Sequence, residues 1–147
     1  MLLGQYDGKA DEKGRIAFPK KLRTAIGNKI IVTFGYENSL IVVSEENWKS
    51  LLEGTKGKPF IQKDARETQR FLLGGASFVE LDSKGRFVLP AYLREFAKVT
   101  GEIVFLGLFR YVEIWDKKRW LEYMETLQKS IDTIAKRLTE REEGYKG

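Results

Sequence analysis

The stretch Asp11–Arg23 reads DEKGRIAFPKKLR, and the stretch Asp82–Arg94 of the same chain reads DSKGRFVLPAYLR. Seven of the thirteen positions coincide at a constant offset of 71 residues: Asp11 with Asp82, Lys13 with Lys84, Gly14 with Gly85, Arg15 with Arg86, Pro19 with Pro90, Leu22 with Leu93 and Arg23 with Arg94. The likeness reaches further out. Leu2–Gly4 recurs as Leu72–Gly74, and Gly35 and Trp48 find counterparts in Gly107 and Trp120, where the offset has grown by one residue. A unit of this size spans nearly half of the 147 residues, so the chain divides into two homologous halves.

Each half spells out the same order of elements. GQYDGKA before Asp11 predicts a weak strand, and DEKG supplies the Asp and Gly of a tight turn, in which Gly14 takes a backbone conformation that a side chain would resist. In RIAF, Ile16 and Phe18 share one face and Arg15 and Ala17 the other, the alternation of a half-buried strand. Pro19 suits the start of a short helix carrying Leu22 and Ile26 one turn apart. KIIVTF and SLIVVS predict a hairpin across GYEN, and Ser44 is a candidate N-cap for a helix holding Trp48, Leu51 and Leu52. The second half repeats this with FVEL, a turn at Asp82–Gly85, RFVL, Pro90, a short helix, EIVFLG, YVEIW and Asp116 as the next N-cap.

Between the halves, EGTKGKP predicts a loop, and IQKDARETQRFLL a linking helix with Ile61, Ala65, Thr68 and Leu72 on one face. At the C-terminus, Trp120, Met124, Leu127, Ile131, Ile134 and Leu138 form a heptad-like stripe. Packing on its own domain and contact with another subunit both fit that stripe. The expectation is a mainly β fold with α-helices: a first domain at 1–53, a linker and connecting helix at 54–73, a second domain at 74–120, and a C-terminal helix and tail at 121–147.

Composition narrows the chemistry. The chain has no Cys and no His, which removes disulfides, thiol nucleophiles, His-dependent triads and the usual zinc sites. No nucleophile, general base or acidic cluster stands out, so neither an enzyme nor a cofactor or metal is expected. MLLGQYDGK carries no secretory signal, and no apolar run approaches the length needed to cross a bilayer; the expected location is the cytoplasm.

The formal net charge of +5 favours polyanionic partners, and its distribution says more. From Lys9 to Arg23 six cations face two anions, whereas from Asp82 to Glu95 three face two. Arg15 follows a glycine turn on the outward strand face and lies among Lys13, Lys20 and Lys21, a setting for bidentate recognition of phosphate or guanine. Arg86, beside Lys84, repeats the position with fewer cations. Asp11 and Asp82 suit a structural role, accepting turn N–H groups and pairing with the arginine four residues on, since a carboxylate facing phosphate would be repelled. Lys20 and Lys21 also fit a merely solvated helix face, and Arg23 and Arg94 a bracing role. Neither Gly14 nor Gly85 belongs to a phosphate-cradling motif. Phe18, Phe34, Trp48, Phe87, Phe105 and Trp120 sit at core-like positions rather than on a base-stacking platform.

DEKGRIAFPKKLR, RFLLGGASFVELDSKGRFVLPAYLREFA and the duplicated layout together resemble the MraZ family, whose two domains are of the SpoVT/AbrB class; the resemblance covers residues 1 to 120. It implies tandem pseudo-symmetric AbrB/MazE-type swapped-hairpin β-barrel-like domains, the two copies playing the part that two chains play in dimeric relatives. It further implies a ring-shaped, octamer-like homo-oligomer and a nucleoid-associated transcriptional regulator. That regulator acts on double-stranded promoter DNA of the division and cell-wall gene cluster, its own promoter included, typically as a repressor. Carried over, Arg15 and Arg86, with Lys13 and Lys84 beside them, face DNA. Ala91 and Tyr92 stand where the first copy has Lys20 and Lys21, so the first half is expected to bind more strongly. An antitoxin-like or scaffolding protein-interaction module is the alternative.

Overall fold

Ile16 and Phe18 alternate with Arg15 and Ala17, and a strand so patterned is stable only if its apolar face is covered on one side and its backbone is paired on an edge. The computed structural model, which describes residues 1–51 and 61–146, meets both needs with the other half of the chain. Strand β1 (Leu2–Lys9) leads into β2 (Arg15–Ala17), helix α1 (Lys20–Ile26), β3 (Lys29–Phe34), β4 (Leu40–Ser44) and the single turn α2 (Trp48–Leu51). After α3 (Lys63–Leu72) the pattern recurs as β5 (Ser77–Glu80), β6 (Arg86–Val88), α4 (Ala91–Ala97), β7 (Glu102–Phe109) and β8 (Val112–Asp116). Helix α5 (Lys117–Lys146) follows. The loop expected over Glu53–Pro59 lies outside the described residues.

The strands form one six-stranded sheet, ordered β1-β7-β8-β4-β3-β5, and one two-stranded ribbon, β2-β6. All pairings are antiparallel. The two halves are interleaved: β1 pairs with β7 of the second half, β5 with β3 of the first, and the two hairpins meet at β4 and β8. In that central contact Leu40 faces Ile114, Ile41 faces Glu113 and Val42 faces Val112. In the ribbon Arg15 faces Val88, Ile16 faces Phe87 and Ala17 faces Arg86. Both registers exchange equivalent positions about their middle pair, so a pseudo-two-fold axis passes through Ile41/Glu113 and through Ile16/Phe87.

Burial follows the pattern read from the sequence. Ile16, Phe18, Leu22, Phe87, Leu89, Leu93 and Phe105 belong to one buried cluster contributed by both halves. Both α1 and α4 start directly after a proline and each buries a leucine completely, Leu22 or Leu93. Strands β3 and β4 bury both faces. Ile31, Ile41 and Val43 enter a second cluster with Leu72 of α3, and the hydroxyl of Thr33 donates to the Leu72 carbonyl at 2.7 Å. This explains why their sequences are continuous apolar runs rather than alternating ones. The β3–β4 loop is a hairpin turn with positive φ at Glu37 and Asn38, as the twist of a tight β-hairpin demands. Ser44 Oγ accepts from the Asn47 N–H at 3.1 Å and so closes the turn that leads into α2, which begins only at Trp48. Of the aromatic residues placed in the core, Phe18, Phe87, Phe105 and Trp120 are buried, while Phe34 is half-buried and stacks on Phe71 at 5.1 Å.

Two local expectations need correction. Ile61 is not on the apolar face of the linking helix: Gln62 is extended, α3 begins at Lys63, and Ile61 is 87% exposed. The match of Gly35 with Gly107 also slips by one. Gly107 pairs with Val112 as Phe34 pairs with Leu40, because the β7–β8 connection is one residue shorter than the β3–β4 connection. At Gly107 a Cβ would strike the backbone of Leu2 and Leu3 on the neighbouring strand, so the close approach itself explains this glycine.

Residues Met1–Lys117 form one compact unit and Lys118–Gly147 a second, essentially α5. Along α5, Ile131 and Leu138 of the heptad-like stripe are exposed. Among the described residues no helix is long and apolar enough to cross a membrane.

Leu93 is fully buried under both halves of the main cluster. Leu93→Ala is therefore expected to lower stability by about 2–5 kcal/mol, and Leu22→Ala by a similar amount, measured as the shift in urea unfolding at constant m-value.

Candidate nucleic-acid interface

The turn Asp11–Arg15 is built by one carboxylate. Asp11 Oδ1 accepts from the backbone N–H groups of Lys13 and Arg15, each at 2.9 Å, while Oδ2 accepts from Arg15 Nε at 2.6 Å. The copy is the same in every bond: Asp82 Oδ1 accepts from Lys84 N at 2.9 Å and Arg86 N at 2.8 Å, and Oδ2 from Arg86 Nε at 2.9 Å. Hydrogen bonding from the Arg15 backbone, then from its side chain, holds the Asp11 carboxyl below the ordinary aspartate value; for Asp82 the backbone bond from Arg86 is likewise the largest cause. Each aspartate is exposed, so the stabilising worth of these ion pairs is small. Their effect is geometric: engaging Nε fixes the plane of the guanidinium. Among the described residues nothing accepts from the terminal nitrogens of Arg15 or Arg86, and the two side chains are 62% and 57% exposed.

Gly14 and Gly85 close these turns with φ of +80° and +76°, where a side chain would be strained. Space excludes one as well. A Cβ on Gly14 would meet Arg94 Nη1 at 2.8 Å, and one on Gly85 would run into the Arg23 guanidinium. Each turn is thus covered by the arginine of the other repeat's helix, and Arg94 Nη1 also donates to the Glu12 carbonyl at 3.2 Å. The exchange continues along the backbone: Phe18 N donates to the Gly85 carbonyl and Leu89 N to the Gly14 carbonyl, both at 2.8 Å.

The ribbon brings the two motif arginines together. Arg15, Ala17, Arg86 and Val88 are its exposed residues, and Arg15 and Arg86 line one open groove with Lys9 and Asp11. Lys13 is exposed on the first turn and shares a second depression with Arg15; Lys84 is exposed on the second turn. Lys20 and Lys21 are exposed at the start of α1 and do not line the Arg15–Arg86 groove. The repeat places Glu80 where the first half has Lys9, and Ala91 and Tyr92 where it has Lys20 and Lys21, so the surface around the first turn is the more positive.

The family model described as "MraZ protein, putative antitoxin-like" matches this chain twice, over residues 1–71 and 72–142. The chain belongs to the MraZ family. Full-length relatives agree: the transcriptional regulator MraZ of Caldanaerobacter subterraneus subsp. tengcongensis is 42% identical over 94% of this chain and 96% of its own length. That of Thermoanaerobacter sp. (strain X514) is 43% identical over the same shares, and that of Heliobacterium modesticaldum 39%. The two MraZ domains are tandem, and membership places the chain among transcriptional regulators rather than enzymes.

In this MraZ chain, sequence reasoning named both arginines and both turns but missed Lys9 as a groove residue and the crossing of Arg23 and Arg94 over the opposite turns. Lys9 carried a signal, its replacement by Glu80 in the repeat. The crossing carried none, because it depends on how the halves interleave.

The lowered aspartates give a pH signature. A carboxyl whose folded value lies below its unfolded value contributes stability above the unfolded value, near 3.9, and loses it as pH falls through the folded one. Asp11→Asn with Asp82→Asn is expected to be less stable than the parent at neutral pH, with the difference closing as the pH drops from about 4 downward. Urea midpoints across that range measure it.

Proposed function

We propose that the chain is a sequence-specific double-stranded DNA-binding regulator that presents the β2–β6 ribbon to the major groove. One observation carries the reading: Arg15 and Arg86 leave the same face of a two-stranded antiparallel ribbon, each oriented through Nε by an aspartate and each with its terminal nitrogens uncommitted among the described residues. The major groove, about 12 Å wide, admits such a ribbon, and an arginine fork matches a guanine edge or a phosphate. Lys13 and Lys84 flank the fork as phosphate contacts, with Lys20 and Lys21 adding to the first copy, so Arg15 is the dominant site and Arg86 the weaker one.

In this reading the repeats at 1–53 and 74–120, joined through 54–73 and followed by 121–147, are the two halves of an AbrB/MazE-type swapped-hairpin β-barrel-like fold. The exchange of β1 and β5 between hairpins supports it. The regulator is a ring-like homo-oligomer in the cytoplasm, bound to the nucleoid, and represses the division and cell-wall gene cluster from repeated boxes that include its own promoter. One ribbon binds weakly; linked copies gain about 10²–10⁴-fold when box spacing fits subunit spacing. A second reading, an antitoxin-like module that wraps a protein partner, draws on the exposed Leu3 of the edge strand β1 and the exposed Phe109 at the end of its neighbour β7.

The test is fluorescence anisotropy with duplex from upstream of the chain's own gene and a scrambled duplex as control. Tight binding to the first alone is expected. Arg15→Ala should weaken it by about tenfold or more and flatten the dependence of log K on log salt by about one, with Arg86→Ala losing less. Equal affinity for both duplexes, or an Arg15→Ala protein that binds unchanged, would overturn the assignment.

A further inference from the structure

The outward face of the ribbon holds four side chains, and only two of them are explained by charge. Arg15 and Arg86 occupy equivalent positions; Ala17 and Val88 occupy the other equivalent pair and differ. Val88 is 59% exposed, directly opposite Arg15 in the ladder. Directly opposed residues have Cβ atoms about 4.5–5.5 Å apart, so an exposed isopropyl group stands beside the stem of the arginine that carries the DNA reading. Ala17, opposite Arg86, reaches less far.

Resting on that reading, we propose that Val88 is a specificity-determining residue that recognises the 5-methyl group of a thymine in the major groove, next to the position contacted by Arg15. The chemistry selects the base. Of the four base edges exposed in the major groove, only thymine presents an apolar group. Valine offers neither donor nor acceptor, so pressing it against the amino group of cytosine or adenine leaves that donor stripped of water and unpaired, at a cost. Against thymine the two apolar groups bury one another. Ala17 provides no such contact beside Arg86, so the preference attaches to the Arg15 side of the ribbon.

The experiment uses the full-length protein and a pool of random 20-base-pair duplexes. After enrichment, each thymine of the best-bound duplex is replaced singly by deoxyuridine, which removes only the methyl. Loss of one methyl contact should weaken the parent about fourfold at one position, and Val88→Ala should bind the thymine and deoxyuridine duplexes equally. Val88 is on the surface, so an unchanged urea midpoint verifies the variant's fold. Val88→Asn, whose amide matches adenine, should move enrichment at that position from thymine to adenine. No position sensitive to deoxyuridine, or a sensitivity that survives in Val88→Ala, would overturn the proposal while leaving DNA binding intact. Weakened subunit association in Val88→Ala with unchanged base discrimination would overturn it too, assigning Val88 to a protein contact. A pool from which nothing is enriched would instead sink the DNA-binding reading itself.

Discussion

The antiparallel pairing of Arg15–Ala17 with Arg86–Val88 is the constraint on which the rest of the molecule depends. A three-residue strand makes too few hydrogen bonds to persist alone, and its ladder is completed by the equivalent strand of the other repeat. Because the axis runs through Ile16 and Phe87, burying that pair in the common core brings both arginine turns to the same ribbon at once. The cross-bonds from Phe18 to Gly85 and from Leu89 to Gly14 then tie each turn to the opposite chain half.

The aspartates look misplaced on a surface that we propose faces DNA until their bonds are counted. Each gives one oxygen to two backbone N–H groups and the other to Nε, so its charge is spent inside the turn and on the inner edge of the guanidinium. An exposed pair of this kind adds little to stability. It does restrict a long, rotamer-rich side chain to one orientation before any ligand arrives, which lowers the ordering cost of binding. The opposite repeat contributes from behind, since Arg94 and Arg23 lie where a side chain on Gly14 or Gly85 would have to go.

Much of this was legible because it is local. The Asp and Gly of each turn, the inward Ile16 and Phe18, the outward Arg15 and the proline before each short helix all follow from spacing within a dozen residues, and the repeat from matching these short stretches across the chain. The failures are equally physical. Ile61 fits a helical period, yet the chain at Gln62 is extended and the helix starts too late to include it. Gly35 and Gly107 align as letters, yet a hairpin loop one residue shorter shifts the strand register between them.

By itself the sequence determined that there are two copies of one unit, what each turn is made of, and that the first copy is the more basic. Only the tertiary structure decided which copy each piece joins. The hairpins β3–β4 and β7–β8 are near-equivalent partners, so nothing in the letters of β1 tells it to pair with β7 rather than β3. Strand pairing is a non-local choice between similar edges, settled when both apolar faces must close on one core. That closure sets Arg15 and Arg86 diagonally across one exposed face of the ribbon and leaves Val88 exposed opposite Arg15.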